Sequence, residues 1–390
     1  MNSVIVSAKR TPVGSFQGAF ANLPAPDLGA TAIKAAVESA GLNTNDIDQC
    51  IMGEVLTAGV GQAPARQAAL AAGLSQSTVC MTINKVCGSG LKSVMLADDA
   101  IRLGHSEFCI AGGQENMTLA PHLLEKTRAG YRMGNVIATD SMVKDGLWDP
   151  YNNFHMGNAA ELCVSEYKFT REQQDDFAIE SYKRAHAAQE KSWFKNEICS
   201  VEVKSRKSTL IVDTDEEPGR AKFDKIPTLR AAFDKTGTIT AANASKINDG
   251  GAALVVASEE AAKAKNCKPM ARIIAQSTFA QDPKWFTTAP VGAMKEALKL
   301  ANLKASEIDL FEINEAFAVV TMAAIKELDL DPTKVNSHGG AIAIGHPIGA
   351  SGTRIFTTLL HGLKQHNKKY GLASLCIGGG EAVAVIVENL

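Results

Sequence analysis

The sequence predicts a duplicated α/β protein: two similar halves of mixed sheet packed on helices, with a loop-rich piece inserted between them. Two segments with one shared helical pattern point to it first. One starts at Ala25-Pro26 and fades near Gly41-Leu42, the other starts at Ala289-Pro290 and fades near Asn302-Leu303, and each leads through an acidic turn into an apolar strand. A repeated strand end comes second, Cys109-Ile110-Ala111-Gly112-Gly113-Gln114-Glu115 against Cys376-Ile377-Gly378-Gly379-Gly380-Glu381. Third, the pattern breaks over residues 118–248, beginning with a stretch from Met117 to Met156 rich in Gly, Asn, Asp and Pro.

Each element has its own signal. The run Ser3-Val4-Ile5-Val6-Ser7 reads as an opening strand. Ser89-Gly90 starts a helix with Leu91, Val94, Met95 and Ile101 on one face, stopping at Gly104; its counterpart starts at Ser351-Gly352 with Ile355, Phe356, Leu359, Leu360 and Leu363. Inside the insertion, Thr170 and Gln173 form a capping box for a helix whose inner stripe is Phe177, Ser181, Tyr182 and Ala185. The expected division is 1–117 for the N-terminal half, 118–248 for a lid that shapes a ligand site, and 249–390 for the C-terminal half.

With 390 residues the chain suffices for two or three domains. Its 45% hydrophobic and 21% charged residues are ordinary for a globular protein, and a net charge of -2 supplies no global field toward nucleic acid or an anionic membrane. A polyanionic ligand must then be met by a few local Lys and Arg residues. The N-terminus enters a strand without a basic–apolar or Arg-rich leader, and no apolar run is long enough for a bilayer. Eight cysteines are scattered along the chain with no C-x-x-C pair, so neither a zinc site nor a disulfide lattice is suggested; reduced thiols and a cytoplasmic location are expected.

Cys87 lies in Asn84-Lys85-Val86-Cys87-Gly88-Ser89-Gly90, where a strand gives way to a glycine-rich turn and a helix. The positive end of the helix favours thiolate, and small neighbours let another group approach. Taken alone, Cys87 also reads as a buried cysteine at a tight turn. His346, between Gly345 and Pro347 in a glycine-rich loop that fits neither common nucleotide fingerprint, is either a base or a hydrogen-bonded loop histidine. Cys376 precedes three glycines whose bare N–H groups suit an oxyanion hole, although its mirror image Cys109 argues for plain core. Asn314, after the strand Leu310-Phe311-Glu312-Ile313, reads most simply as a helix cap.

Together these segments resemble the thiolase family: N-K-V-C-G-S-G around Cys87, N-E-A-F-A from Asn314, G-G-A-I-A-I-G-H-P-I-G-A-S-G around His346 and C-I-G-G-G at Cys376 match its blocks in order and spacing. The resemblance runs from Lys9-Arg10-Thr11-Pro12 to the C-terminus. It implies βαβαβαββ halves with mixed five-stranded sheets in an αβαβα sandwich. It also implies that two acetyl-CoA are condensed reversibly to acetoacetyl-CoA and CoA through an acetyl group on Cys87. His346 would activate Cys87 and help hold the second thioester oxygen, with Cys376 as the acid/base. Asn314 would hold a water that completes one oxyanion hole, while the N–H groups of Cys87 and Gly378 form the other.

The resemblance to short-chain members extends to His155-Met156-Gly157 and to Asn243 through Gly250. It implies that His155, Met156 and Ser245 face the pantetheine arm and that Leu147, Phe233, Ala241, Phe286, Ala316 and Phe317 shape its tunnel. Arg220 would lie near the coenzyme A phosphates, although Glu216-Glu217-Pro218-Gly219-Arg220 departs from the usual pattern. Phe286 resembles the mitochondrial acetoacetyl-CoA type, which also accepts a 2-methyl branch and whose potassium response depends partly on a Tyr; Pro218 stands in its place, and the branched substrate and the ion are left open. No metal or cofactor is implied, coenzyme A being substrate and product. Partners are acetyl-CoA, acetoacetyl-CoA, CoA and further copies of the chain, a homotetramer paired through a loop resembling Pro121 to Asp145. Alternatives are a 3-ketoacyl-CoA thiolase of fatty-acid breakdown and a non-catalytic acyl-CoA binder. A carrier-protein ketosynthase fits less well, since it lacks the second Cys of C-x-G-G-G.

Overall fold

The computed structural model describes residues 2–204 and 208–390. The N-terminal half runs β1 (Ser3–Arg10), α1 (Ala25–Ala40), β2 (Gln49–Gly53), α2 (Pro64–Ala71), β3 (Val79–Ile83), α3 (Ser89–Arg102) and β4 (Phe108–Asn116). The insertion holds α4 (Met156–Tyr167) and α5 (Arg171–Glu190), and β5 (Asn248–Ser258) follows it. Then come β6 (Ala271–Ala280), α6 (Ala289–Ala301), β7 (Leu310–Ile313), α7 (Ala318–Leu328), α8 (Ser351–Gln365), β8 (Tyr370–Ile377) and β9 (Glu381–Asn389).

The repeat seen in the sequence is a repeat of structure. α1 and α6 both carry Pro in the first turn, where its missing N–H costs nothing, and both end in a left-handed residue, Gly41 (φ 69°) and Asn302 (φ 53°). α5 begins at the expected box, with Thr170 accepting from the Gln173 N–H and Gln173 bonding back. Its buried stripe is centred on Ala178, Ser181, Tyr182 and Ala185, with Phe177 only half-buried.

The strands are ordered β3-β2-β4-β5-β1-β6-β9-β8-β7. β5 pairs antiparallel with both β1 and β4, so it completes the N-terminal sheet of five strands. This corrects the expected division at 248/249: the insertion interrupts the N-terminal half between its last two strands, and the second half begins near β6. The signal was hidden because β5, Asn248–Ser258, is buried along its whole length and carries no alternation to mark its sheet. The C-terminal sheet contains β6, β9, β8 and β7, and its fifth place is held by a single parallel bridge, Phe311 to Val335. The two sheets meet edge to edge through Val4–Arg272 and Ile5–Ala271.

α1 and α2 cover one face of the N-terminal sheet, and α6 covers the outer face of the other. α3 and α8 fill the space between the sheets, where Leu91, Val94 and Ile101 meet Ile355, Phe356 and Leu363. α8 is therefore buried all round from Ser351 to Leu363, although the sequence marked only one stripe. A Cβ on Gly352 would stand 2.1 Å from the backbone nitrogen of Leu91, so these helices cross at glycine contact. Gly352→Ala is expected to destabilise the fold by about 1–3 kcal/mol through overpacking, read as a lower urea midpoint. The insertion is fastened by buried ion pairs from Arg10 to Glu197 (2.6 Å) and Asp215 (2.7 Å). Among the described residues, no helix is long and apolar enough to cross a membrane.

Candidate active site

The crossing of α3 and α8 brings the first turns of both halves together. Between β3 and α3 the chain makes a strained elbow: Val86 adopts φ 44°, an outlier for a β-branched residue. The elbow is held by the Asn84 side chain accepting from the Val86 N–H (2.9 Å) and by Ser89 Oγ accepting from the Lys85 N–H (2.8 Å). Lys85 also pairs with Glu381 of the opposite half. A Cβ on Gly88 would stand 2.4 Å from Ile377 Cδ1, so glycine lets the elbow sit against C-I-G-G-G with the Ile377 side chain unmoved.

Cys87 sits half-buried at the tip, against Val55, Leu56, Met142, Leu147 and Ile348. Burial pushes its thiol up to about 11, while the N–H groups of Gly378 and of Cys87 itself reach the sulfur and favour thiolate. These are the two donors expected for an oxyanion hole. Cys376, at the end of β8, is fully buried among Met156, Phe286, Ala316 and Phe317. Burial first, and the neighbouring Cys87 thiol second, hold it well above the ordinary thiol range. Neither thiol is a resting thiolate, so a base must act first.

His346 is 5% exposed, and burial, with a smaller push from Arg354, draws it down to about 3, a neutral imidazole at pH 7. Its Nδ1 lies 2.5 Å from Ser351 Oγ, whose single proton is donated to the Pro347 carbonyl (2.8 Å). Nδ1 therefore carries the ring proton and Nε2 is the acceptor; Nε2 is buried and without a partner among the described residues. Asn248 Oδ1 accepts from the His346 N–H (2.9 Å) and fixes the loop, and a Cβ on Gly345 (φ 120°) would strike that same oxygen at 2.5 Å.

Asn314 is not a cap. α7 starts after Phe317 with no side-chain cap, and the Asn314 amide is buried with both polar atoms unpartnered. A buried amide with neither polar atom partnered is a place for water or ligand.

The remaining sequence-predicted residues fall into two groups. His155 caps α4, its Nδ1 accepting from the Gly157 N–H (3.1 Å), and its ring stacks on Phe233 at 4.7 Å. Phe233 meets the edge of Phe317, and Phe317 that of Phe286, forming an aromatic row that leads to Cys376. Ser245 is joined to this row by its N–H donating to the Ala316 carbonyl (2.9 Å). Arg220 and Ala241 lie apart from it, in a cleft of about 230 Å³ that also holds Lys222 and Lys225.

Sequence reasoning missed several residues. Glu115 accepts from the N–H groups of Val55, Leu56 and Gly349, clamping the walls around Cys87; burial pushes it up to about 7. Its signal was an acidic residue ending the apolar run of β4. Ser351 and Asn248, which orient His346, stand inside the glycine-rich block and the Asn243–Gly250 block, but nothing there tied them to the histidine. Lys246 brings its ammonium to the Ala244 carbonyl (2.9 Å) and to the Tyr182 ring face, and burial draws it down to about 8.

Residues 3–260 match the family description "Thiolase, N-terminal domain", and residues 267–389 match "Thiolase, C-terminal domain". An acetyl-CoA acetyltransferase of Cupriavidus necator is 53% identical over 388 residues, covering 99% of each chain. One of Escherichia coli is 50% identical over 391 residues, covering 100% of this chain and 99% of its own. The crystal structure of the Acat5 thiolase of Ascaris suum in complex with coenzyme A superposes with a TM-score of 0.95 at 42% identity, covering 100% of both chains.

Proposed function

The chain belongs to the thiolase family, and on that premise we propose that it is an acyltransferase that condenses two acetyl-CoA reversibly to acetoacetyl-CoA and CoA. One observation supports the reading: the half-buried Cys87 and buried Cys376 thiols are neighbours, while the His346 Nε2 and the Asn314 amide are buried and unpartnered. That constellation suits carbanion chemistry on a thioester.

The steps balance as follows. His346 Nε2 takes the Cys87 proton, and the thiolate attacks acetyl-CoA. The Gly378 and Cys87 N–H groups hold the oxyanion. CoA leaves as thiolate and takes the Cys376 proton, so Cys376 becomes the base beside a protonated His346. The Cys376 thiolate removes a proton from the methyl of the second acetyl-CoA. His346 Nε2–H and a water on Asn314 hold the enolate oxygen while its carbon attacks acetyl-Cys87. Collapse frees the Cys87 thiolate, which recovers the proton from His346.

Ser245, His155 and Met156 would line the pantetheine path, and Arg220, Lys222 and Lys225 would meet phosphates at its mouth. Buried Phe286 against Phe317 closes the acyl end and favours short chains over the 3-ketoacyl-CoA thiolase reading. Phe286→Ala is expected to raise turnover of a longer 3-ketoacyl-CoA relative to acetoacetyl-CoA by about tenfold or more. Faster thiolysis of the long chain by the unaltered enzyme would overturn the short-chain assignment.

Pro218 offers no hydroxyl to a potassium ion where the potassium-responsive relatives carry a Tyr. Replacing sodium by potassium at constant ionic strength is expected to leave turnover unchanged. The proposal includes a cytoplasmic location and a homotetramer. Edge strand β3, with exposed Val79 and Met81, and the loop bearing exposed Leu124, Met133 and Ile137 offer the two pairing surfaces.

A further inference from the structure

The chain from Asn243 to Lys246 ties two walls of the candidate site together. Ala244 and Phe317 face each other in an isolated antiparallel bridge. On either side of it the Ser245 N–H donates to the Ala316 carbonyl and the Ala318 N–H to the Asn243 carbonyl, each at 2.9 Å. In a pair of this kind the residue between the flanking bonds turns its own N–H and C=O away from the partner. The Ala244 N–H donates to the Thr240 carbonyl (3.1 Å), and the Ala244 carbonyl accepts from the Lys246 ammonium (2.9 Å). Ala244 is buried, so its carbonyl needs such a donor.

A lysine has the reach to put its charge in water, but this one folds back onto its own chain. Its ammonium lies 5.7 Å from the centroid of the Tyr182 ring on α5. Asn243 holds the same helix, with Nδ2 donating to Asp175 Oδ1 (2.9 Å). Burial disfavours the charge on Lys246, and the carboxyl groups of Glu217 and Glu315 favour it. Glu217 accepts from Asn248 Nδ2 (3.4 Å), and Glu315, next to Asn314, accepts from Ser181 Oγ and Asn336 Nδ2 (2.8 Å each).

We propose that Lys246 is a positioning residue, whose ammonium fixes the Asn243–Ser245 segment between α5 and the Ala316–Phe317 wall and so sets where Ser245 meets the pantetheine arm. The inference rests on the acyl-transfer reading, in which Ser245 lines that path. The Ala244 carbonyl and the Ser245 N–H are opposite ends of one planar peptide unit. Without the ammonium the carbonyl must turn to find another donor, and the Ser245 N–H turns with it, away from the Ala316 carbonyl. The pantetheine path and the acyl wall then loosen together, so the loss falls on substrate affinity.

The test compares the unaltered full-length protein with Lys246→Met, which keeps most of the side chain and loses its charge. KM for acetyl-CoA is expected to rise about tenfold with a smaller fall in kcat, and Kd for coenzyme A, measured by calorimetry, to rise alike. Lys246→Ala should recover part of its affinity in ethylammonium chloride, whose N–H groups can meet the Ala244 carbonyl. Tetramethylammonium chloride at the same ionic strength has no such donor and should recover none. An unchanged Kd in Lys246→Met, a fall in kcat at unchanged KM, or equal recovery in both salts would overturn the positioning role. An unaltered protein that binds no coenzyme A would overturn the acyl-transfer reading first, and this inference with it.

Discussion

Cys87→Ala is expected to lower thiolysis of acetoacetyl-CoA by about 10⁴-fold or more and to abolish the acetyl adduct that acetyl-CoA leaves on the unaltered enzyme. The Gly378 and Cys87 N–H groups both reach the Cys87 sulfur, where they would hold the oxyanion of a thioester attacked by it. Cys376 is sealed among Met156, Phe286 and Phe317. The substitution removes one half-buried sulfur, so stability and coenzyme A affinity should change little. Intact-mass measurement after acetyl-CoA incubation, paired with initial rates, checks this. An unaltered enzyme that takes no acetyl group would favour the non-catalytic binder, and an adduct persisting in the variant would move the nucleophile elsewhere.

Cys376→Ala should separate the two halves of the reaction. CoA leaves as a stable thiolate and needs little help from an acid, so acetyl-Cys87 should still form. Removing a proton from a methyl group needs a base in contact, so condensation should fall by about 10²–10⁴-fold. The variant is expected to accumulate acetyl enzyme without releasing acetoacetyl-CoA. Its resting thiol lies well above the ordinary range, so in the proposed mechanism the base would form only once Cys376 has given its proton to the departing CoA. Condensation at an unchanged rate in the variant would remove Cys376 from the mechanism.

The catalytic candidates were legible because each carries a local signature: a cysteine before a glycine turn, a histidine locked between Gly345 and Pro347, a cysteine before three glycines. The duplication was legible for the same reason, since Pro in the first turn and a left-handed C-terminal residue recur in α1 and α6. Asn314 shows the limit. Its sequence context suits a helix cap, and only the buried, unpartnered amide says otherwise. That the Cys376 thiol is raised well above the ordinary range was not legible either, because burial depends on what packs around the sulfur and not on its sequence neighbours.

By itself the sequence determined the two-half α/β architecture, the elbow at Cys87 and the family, all of which rest on periodicity and on residues close together in the chain. Tertiary structure decided which strand closes which half, that α3 and α8 cross at Gly352, and that His346 carries its proton on Nδ1. It also decided that Glu115 clamps the walls around Cys87. These are contacts between residues far apart in the chain, set by sheet register and helix packing, and no local pattern encodes them.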